Sequence, residues 1–215
     1  FLLAFSPTAV MAHEFWIEPE AYLIERGDRL QGHFKNGENF KGTNLSYFDR
    51  SAKTFDLFAS GKRQSITPRS GDSPALDIAA PTADGLVVVV HETTPSKITY
   101  REWEKFQKFA RHKDFPNAEA EHAARGWSQV KFRESYTRHV KALISVGSGQ
   151  GQDRVFGLET EFIALTNPYE TSFNNQMQVL LHYDGVPRPD AQGEIFERSP
   201  DDTGTVSLAR THAQG

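Results

Sequence analysis

The feature that most constrains the fold is an unbroken apolar run at residues 85–90, "GLVVVV", followed by "HETT". A half-buried strand alternates apolar and polar residues, whereas a strand covered on both faces does not. The run therefore predicts a strand that is central to a first sheet and buried on both sides. His91 is expected at the point where the chain leaves this strand.

Short strands separated by Gly, Pro and Asn account for most of the remaining sequence. "DRLQGHFKNG" at 28–37 places Leu30 and Phe34 on one face and His33 on the other, and "KTFDLFAS" at 53–60 alternates in the same way. We predict a mainly β protein whose N-terminal domain, residues 13–167, is an immunoglobulin-like β-sandwich.

The hydrophobic period changes in the middle of the chain. "YREWEKFQKFARH" at 100–112 has the spacing of an amphipathic helix, and "NAEAEHAARG" at 117–126 is rich in helix-forming Ala and ends on a possible glycine cap. "FRESYTRHVKALISVG" at 132–147 is predicted to begin as helix and to become a strand. These segments predict a helical insertion at about 101–138 within the β framework.

Turn residues around Pro168 predict a domain boundary. Residues 172–215 then follow a strand, turn, strand pattern and add one further strand. Three strands cannot close a sandwich, so we predict the start of a second, transthyretin-like β-sandwich domain whose remaining strands lie beyond Gly215.

Residues 1–12, "FLLAFSPTAVMA", have the character of the tail of a secretory signal, with the small residues Val10 and Ala12 at the spacing that a signal peptidase accepts. The run is too short to cross a bilayer as a helix. We therefore predict a periplasmic or secreted protein that is not membrane-spanning after cleavage and that begins at His13.

Composition excludes several functions. The net charge of -4 comes without a basic cluster, which argues against nucleic-acid binding, and the absence of cysteine excludes disulfides, thiolate metal sites and thiol nucleophiles. The sequence has no Gly-x-Ser-x-Gly elbow and no phosphate-binding loop. These observations favour a protein that is not an enzyme.

An N-terminal His13 would offer two nitrogen donors, its α-amine and ring Nδ1, to one cation. Such a chelate suits nickel, cobalt or copper, which prefer nitrogen ligands. His91 and His122 are the candidate partners. His91 could instead be a hydrogen-bonded residue at a strand end, and His122, three residues after Glu119, could lie on a solvated helix face.

Several segments occur in an order that resembles a known family: "HEFWIEP", "NGENFKG", "YREWEKF", "RESYTRHVKALISVG", "LTNPYE" and "DGVPRPDAQGEIF". This bacterial periplasmic family, a domain of unknown function, is described as the periplasmic component of cobalt or nickel uptake and is similar to the substrate-specific component of nickel uptake. The resemblance implies strands beyond Gly215. His212 stands where the family often has Asp in a turn, so His212 is not interpreted as a ligand.

We therefore expect a periplasmic protein that handles a divalent transition metal, nickel or cobalt, with a membrane transporter component as a possible partner. One alternative is a copper-dependent oxidative enzyme with an N-terminal histidine brace. The other is a metal-free adhesion or scaffold module in which Trp16 and Trp103 belong to the core.

Overall fold

A computed structural model describes residues 13–201 and 203–215 of the chain. The predicted signal segment, residues 1–12, lies outside the described residues. The described strands, in chain order, are β1 (Glu14–Pro19), β2 (Leu23–Ile24), β3 (Arg29–Glu38), β4 (Lys41–Leu45), β5 (Ala52–Ala59), β6 (Lys62–Ser65), β7 (Leu76–Ala79), β8 (Gly85–Thr93), β9 (Ser96–Tyr100), β10 (Phe132–Tyr136), β11 (His139–Val146), β12 (Thr160–Ala164), β13 (Val179–Tyr183), β14 (Val186–Pro187), β15 (Gln192–Arg198) and β16 (Gly204–Arg210). The helices are α1 (Trp103–His112) and α2 (Ala118–Ala124), with a 3₁₀ turn at Asp49–Ser51.

The fold is mainly β and of the β-sandwich type, as predicted. Its contacts divide the chain into two compact units. We call Glu14–Pro95 with Thr137–Gly215 the sandwich unit, and Ser96–Tyr136 the insertion unit; His13 groups with the latter.

Two sheets face each other in the sandwich unit. The first sheet has the order β1-β3-β4, with β7 also paired to β3, and the central sheet has the order β2-β11-β8-β5-β6. Side chains from both sheets fill one core, with Leu30, Phe34, Phe55, Val89 and Ile144 among its members. Burying each aliphatic side chain stabilises the fold by roughly 1.5–3 kcal/mol relative to exposure.

The apolar run of β8 is covered on both faces, as its sequence predicts. Val87 and Val89 belong to the core shared with the first sheet. Val88 and Val90 face the opposite way, into a second core that includes Leu158. The central sheet is therefore packed on two sides.

The strand predicted at the end of residues 132–147 is confirmed as β11, in which core and non-core positions alternate. Val140, Ala142, Ile144 and Val146 all point into the core between the two sheets. The intervening position Lys141 faces the other side of the central sheet, where residues 153–162 cover it.

The C-terminal segments form two small antiparallel arrangements in the same unit. β12 pairs with β13, and β13 pairs with β14. This first pairing joins strands on either side of the boundary expected at Pro168, although the extent of each domain stays a prediction. β15 and β16 form a hairpin whose Phe196 meets Phe40 edge to face, and Phe40 in turn meets Trp16.

The insertion unit contains both helices, as expected, but one of its segments is corrected. Residues 132–136 were predicted to be helical, and they form β10, which pairs with β9 in antiparallel register. Phe132 and Tyr136 alternate with exposed residues along this strand, and Phe132 stacks on Tyr100. Cross-strand pairing therefore overrides the local helical pattern.

Candidate functional site

His13 directly precedes β1, and its side chain is exposed. The six residues that follow it are fixed by pairing with β3, from Glu14 opposite Gly37 to Pro19 opposite Gly32. The backbone that follows His13 is therefore held in a rigid element. His13 is therefore accessible to a ligand from solution.

His91 lies in the apolar core of the sandwich unit and is 2 % exposed. Its ring stacks on Phe34 with the ring centroids 4.3 Å apart, and Phe15 and Phe55 also contact it. The expectation that His91 marks the end of the strand is wrong, because β8 continues to Thr93. Continued pairing keeps the residue inside the sheet, where its side chain points into the core.

The His91 ring is neutral at ordinary pH. Nδ1 lies 2.8 Å from the carbonyl oxygen of Thr54, to which a protonated Nδ1 donates. Burial lowers the pKa of His91 to about 4, and the hydrogen bond to Thr54 and the charge of Glu92 only partly oppose this effect. A neutral imidazole with one ring nitrogen bonded to a carbonyl has the form that a metal ligand requires, but here aromatic rings surround it.

His122 is likewise buried among aromatic rings, in the insertion unit. It is 5 % exposed, and its Nε2 lies 2.9 Å from the carbonyl oxygen of Ser128. Trp103 and Phe132 pack against its ring with centroid distances of 4.8 and 4.5 Å. The residue is thus part of an aromatic core, whereas the sequence placed it on a solvated helix face or in a metal site.

Glu119, the predicted helical neighbour of His122, is bonded elsewhere. Its Oε2 accepts a hydrogen bond of 2.6 Å from Gln107 Nε2, and its Oε1 lies 3.5 Å from Arg111 Nη1. The Glu-x-x-His spacing therefore serves packing between α1 and α2 in this unit.

No group of three His, Asp or Glu side chains that could hold a metal ion occurs within residues 13–201 and 203–215. His91 and His122 belong to different compact units, and each has a backbone carbonyl partner of its own. Of the three predicted ligands, His13 is the one with an exposed side chain.

Two polar clusters in the sandwich unit were not found from the sequence. In the first, Glu92 Oε1 accepts a hydrogen bond from Lys53 Nζ at 2.9 Å and lies 3.4 Å from His139 Nε2. In the second, Lys141 Nζ lies 2.7 Å from Asp153 Oδ2 and 3.1 Å from Glu161 Oε1. Lys141 and His139 lie on the face of β11 opposite the core residues Val140 and Ala142, which is the face that an alternating pattern assigns to solvent.

A polar depression is formed by residues 64–69, 72–75 and 77–78, and its lining includes Arg69, Asp72 and Asp77. None of the three predicted ligands contributes to it. Asp77 is occupied by Arg29, whose Nε and Nη2 donate to the two carboxylate oxygens at 2.6 Å each. This depression therefore offers fewer open polar groups than its composition implies.

The described residues thus define a mainly β protein of the sandwich type with an exposed histidine at the start of its first strand. A family model for a domain of unknown function, DUF4198, matches residues 10–215. The chain belongs to this family. No curated protein and no solved structure matches it. No helix in the described part of the chain is long and apolar enough to cross a membrane.

Proposed function

We propose that the protein binds a divalent transition metal, nickel or cobalt, in the periplasm through a processed N-terminus at His13. The observation that carries this proposal is the exposure of His13 directly before a paired strand. Cleavage after Ala12 adds the α-amine as a second nitrogen donor beside ring Nδ1.

The described residues fit a metal site with free coordination positions better than a site in which protein ligands fill every position. A closed protein cage needs three or four converging ligands, and no such group occurs within residues 13–201 and 203–215. A two-donor chelate leaves the other coordination positions of the ion to water or to a partner molecule. Such a site can pass its ion on, and this property suits uptake through a membrane transporter component better than storage.

The donor set also limits which ion is bound. Nitrogen donors suit nickel, cobalt and copper, and affinity alone favours copper over the other two. Selection of nickel or cobalt therefore depends on which ion is available or on the partner that completes the coordination.

Calorimetric titration tests the proposal with three forms of the protein. The form that starts at His13 is expected to bind one Ni(II) or Co(II) ion per chain. A form with one extra residue before His13 and the variant His13→Ala are each expected to bind at least about tenfold more weakly, or about 1.4 kcal/mol less in binding free energy. Because the amine and the ring must release protons to bind, affinity is also expected to fall as the pH is lowered.

The matched control is His212→Ala, which removes another exposed histidine and should leave the affinity unchanged. Equal affinity of the extended form and the form starting at His13 would show that the α-amine of His13 is not a metal ligand. Absence of binding by all forms would remove metal binding at this site altogether.

A metal-free scaffold role is the second candidate, and a specific observation favours it. His91 and His122, two of the three expected ligands, each lie in an aromatic core with a ring nitrogen beside a backbone carbonyl. In this account Trp103 is also a core residue, as its contact with His122 indicates. The titration described above separates the two candidates.

A further inference from the structure

The most unusual polar group of the sandwich unit is a buried lysine between two buried carboxylates. The side chains of Lys141, Asp153 and Glu161 are 8 %, 1 % and 0 % exposed. Burial of one cation with two carboxylates costs free energy unless each group is well bonded. The cluster lies on the outer side of the central sheet, between β11 and β12.

The amine is held against both carboxylates. Lys141 Nζ donates to Asp153 Oδ2 at 2.7 Å and to Glu161 Oε1 at 3.1 Å, and the carbonyl oxygens of Arg154 and Phe162 lie 3.2 and 3.0 Å away. This is the short, charge-assisted geometry of a strong contact.

The two carboxylates have different surroundings. Glu161 accepts hydrogen bonds from the backbone N–H groups of three consecutive residues, 156–158, at 2.8, 3.0 and 3.2 Å. Asp153 Oδ2 accepts a hydrogen bond from the backbone N–H of Ala164 at 2.8 Å. Asp153 Oδ1 is buried and has no hydrogen-bond partner among the described residues.

Aromatic side chains exclude water from the cluster. The ring centroid of Phe156 lies 4.8 Å from Lys141 Nζ, and Phe58 packs on Phe156 with the ring centroids 4.2 Å apart. Arg154 lies over both rings. A primary amine, an acyl group and an adjacent base are thus held together in an apolar pocket, which is the arrangement that acyl transfer to nitrogen requires.

We propose that Lys141 and Asp153 form an intramolecular isopeptide bond, with Glu161 as the proton acceptor. Glu161 Oε1 takes a proton from the ammonium group and passes it to Oδ1 of Asp153, which makes Asp153 a neutral carboxylic acid. The lone pair of Nζ then attacks Cγ of Asp153, and the second hydrogen lost from Nζ moves to Oδ1, which leaves as water. Oδ2 becomes negatively charged in the tetrahedral intermediate and is stabilised by the N–H of Ala164.

The atoms balance without any other reactant. The Nζ–Cγ bond forms, the Cγ–Oδ1 bond breaks, and Oδ1 leaves as water. Of the three ammonium hydrogens, one stays on the amide nitrogen and two leave with Oδ1, one of them by way of Glu161. No group is oxidised or reduced. The absence of a hydrogen-bond partner for Oδ1 among the described residues fits its role as the leaving atom.

Mass spectrometry of the purified protein under denaturing conditions tests the proposal. The expected result is a chain lighter by one water than its sequence, with a branched peptide that joins Lys141 to Asp153 after digestion. The variant Lys141→Arg keeps a cation but lacks the nucleophilic amine, and it should show its full mass. Because the decisive measurement is made on the wild-type protein, it does not depend on whether a variant folds.

Lys53→Arg is the matched control, since Lys53 also pairs with a buried carboxylate, Glu92, but its own side chain is 62 % exposed. This variant should keep the loss of water. A wild-type chain of full mass, with separate peptides for Lys141 and Asp153, would show that the cluster is an ion network and would overturn the proposal. Loss of water that persists in Lys141→Arg would also overturn it, because a cyclic imide at the aspartate gives that result without the lysine.

Discussion

At the scale of single residues, burial determines what each histidine can do. His13 is exposed, whereas His91 and His122 are almost completely buried among aromatic rings. A buried imidazole that is held neutral makes the free energy of unfolding depend on pH. The reason is that the ring has a lower pKa in the folded state, so the unfolded chain binds a proton at a higher pH than the folded chain does.

For His91 this dependence has a definite sign. Burial lowers its pKa from 6.5 to about 4 in the folded state. Above pH 6.5 the ring is neutral in both states, so its contribution is complete. Between about pH 6.5 and 4 only the unfolded state gains the proton, and the free energy of unfolding should fall by on the order of 3 kcal/mol.

The variant His91→Asn tests this prediction, because an amide N–H can still donate to the carbonyl of Thr54 but does not titrate. Urea unfolding between pH 7 and 4 should show a shallower loss of stability in the variant than in the wild type. His212→Asn, at an exposed site, should follow the wild-type curve. Parallel curves for wild type and His91→Asn would show that His91 does not produce the effect.

The Lys141 cluster shows a limit of sequence interpretation at the same scale. Alternation on β11 placed Lys141 opposite the core residues, and a charged residue in that position normally faces water. The structure covers this side with residues from 153 to 162, which are adjacent to Lys141 in space and not in sequence. Backbone N–H groups then donate to both oxygens of Glu161 and to one oxygen of Asp153, and a local sequence pattern does not predict such bonds.

At the scale of elements, β8 is the strand whose environment the sequence specifies best. Val89 is 0 % exposed and Val88 is 3 % exposed, although they point to opposite faces. Each therefore lies in a separate apolar layer, and each should be intolerant of a buried hydroxyl group.

Val88→Thr and Val89→Thr are expected to lower the free energy of unfolding by roughly 1–3 kcal/mol each, because threonine keeps the shape of valine but buries an unpaired polar group. Chemical denaturation measures both losses. Val206→Thr, on the exposed strand β16, should change stability by less than about 0.5 kcal/mol. A negligible effect at Val88 would show that the outer face of the central sheet is open to water.

Strands were predicted correctly where one strong sequence pattern dominates. They were predicted incorrectly where pairing with a strand that is distant in sequence determines the secondary structure. The valine run and the alternation of β11 specify their own burial. The helix expected at residues 132–136 is instead strand β10, since pairing with β9 and stacking of Phe132 on Tyr100 outweigh the local pattern. The end of β8 was placed two residues early for a similar reason: pairing with β5 and β11 continues past His91.

At the scale of the whole molecule, periodicity and turn residues were enough to predict the sandwich-type fold. They were not enough to predict whether the three candidate histidine ligands lie close together. Sequence spacing cannot show whether three histidines meet. The described residues contain no three-residue metal cluster, and the proposed function therefore depends on the chemistry of a terminus. Membership of the DUF4198 family fits the resemblance seen in the sequence and assigns no function.

The central claim combines processing with metal binding, and native mass spectrometry of the protein isolated from an exporting bacterium measures both in one experiment. We expect a chain that begins at His13 and carries one nickel or cobalt ion, which is lost on addition of a chelator. A chain that begins at His13 and remains metal-free in medium containing nickel and cobalt would contradict the claim, as would an ion bound equally well by a chain that begins before His13.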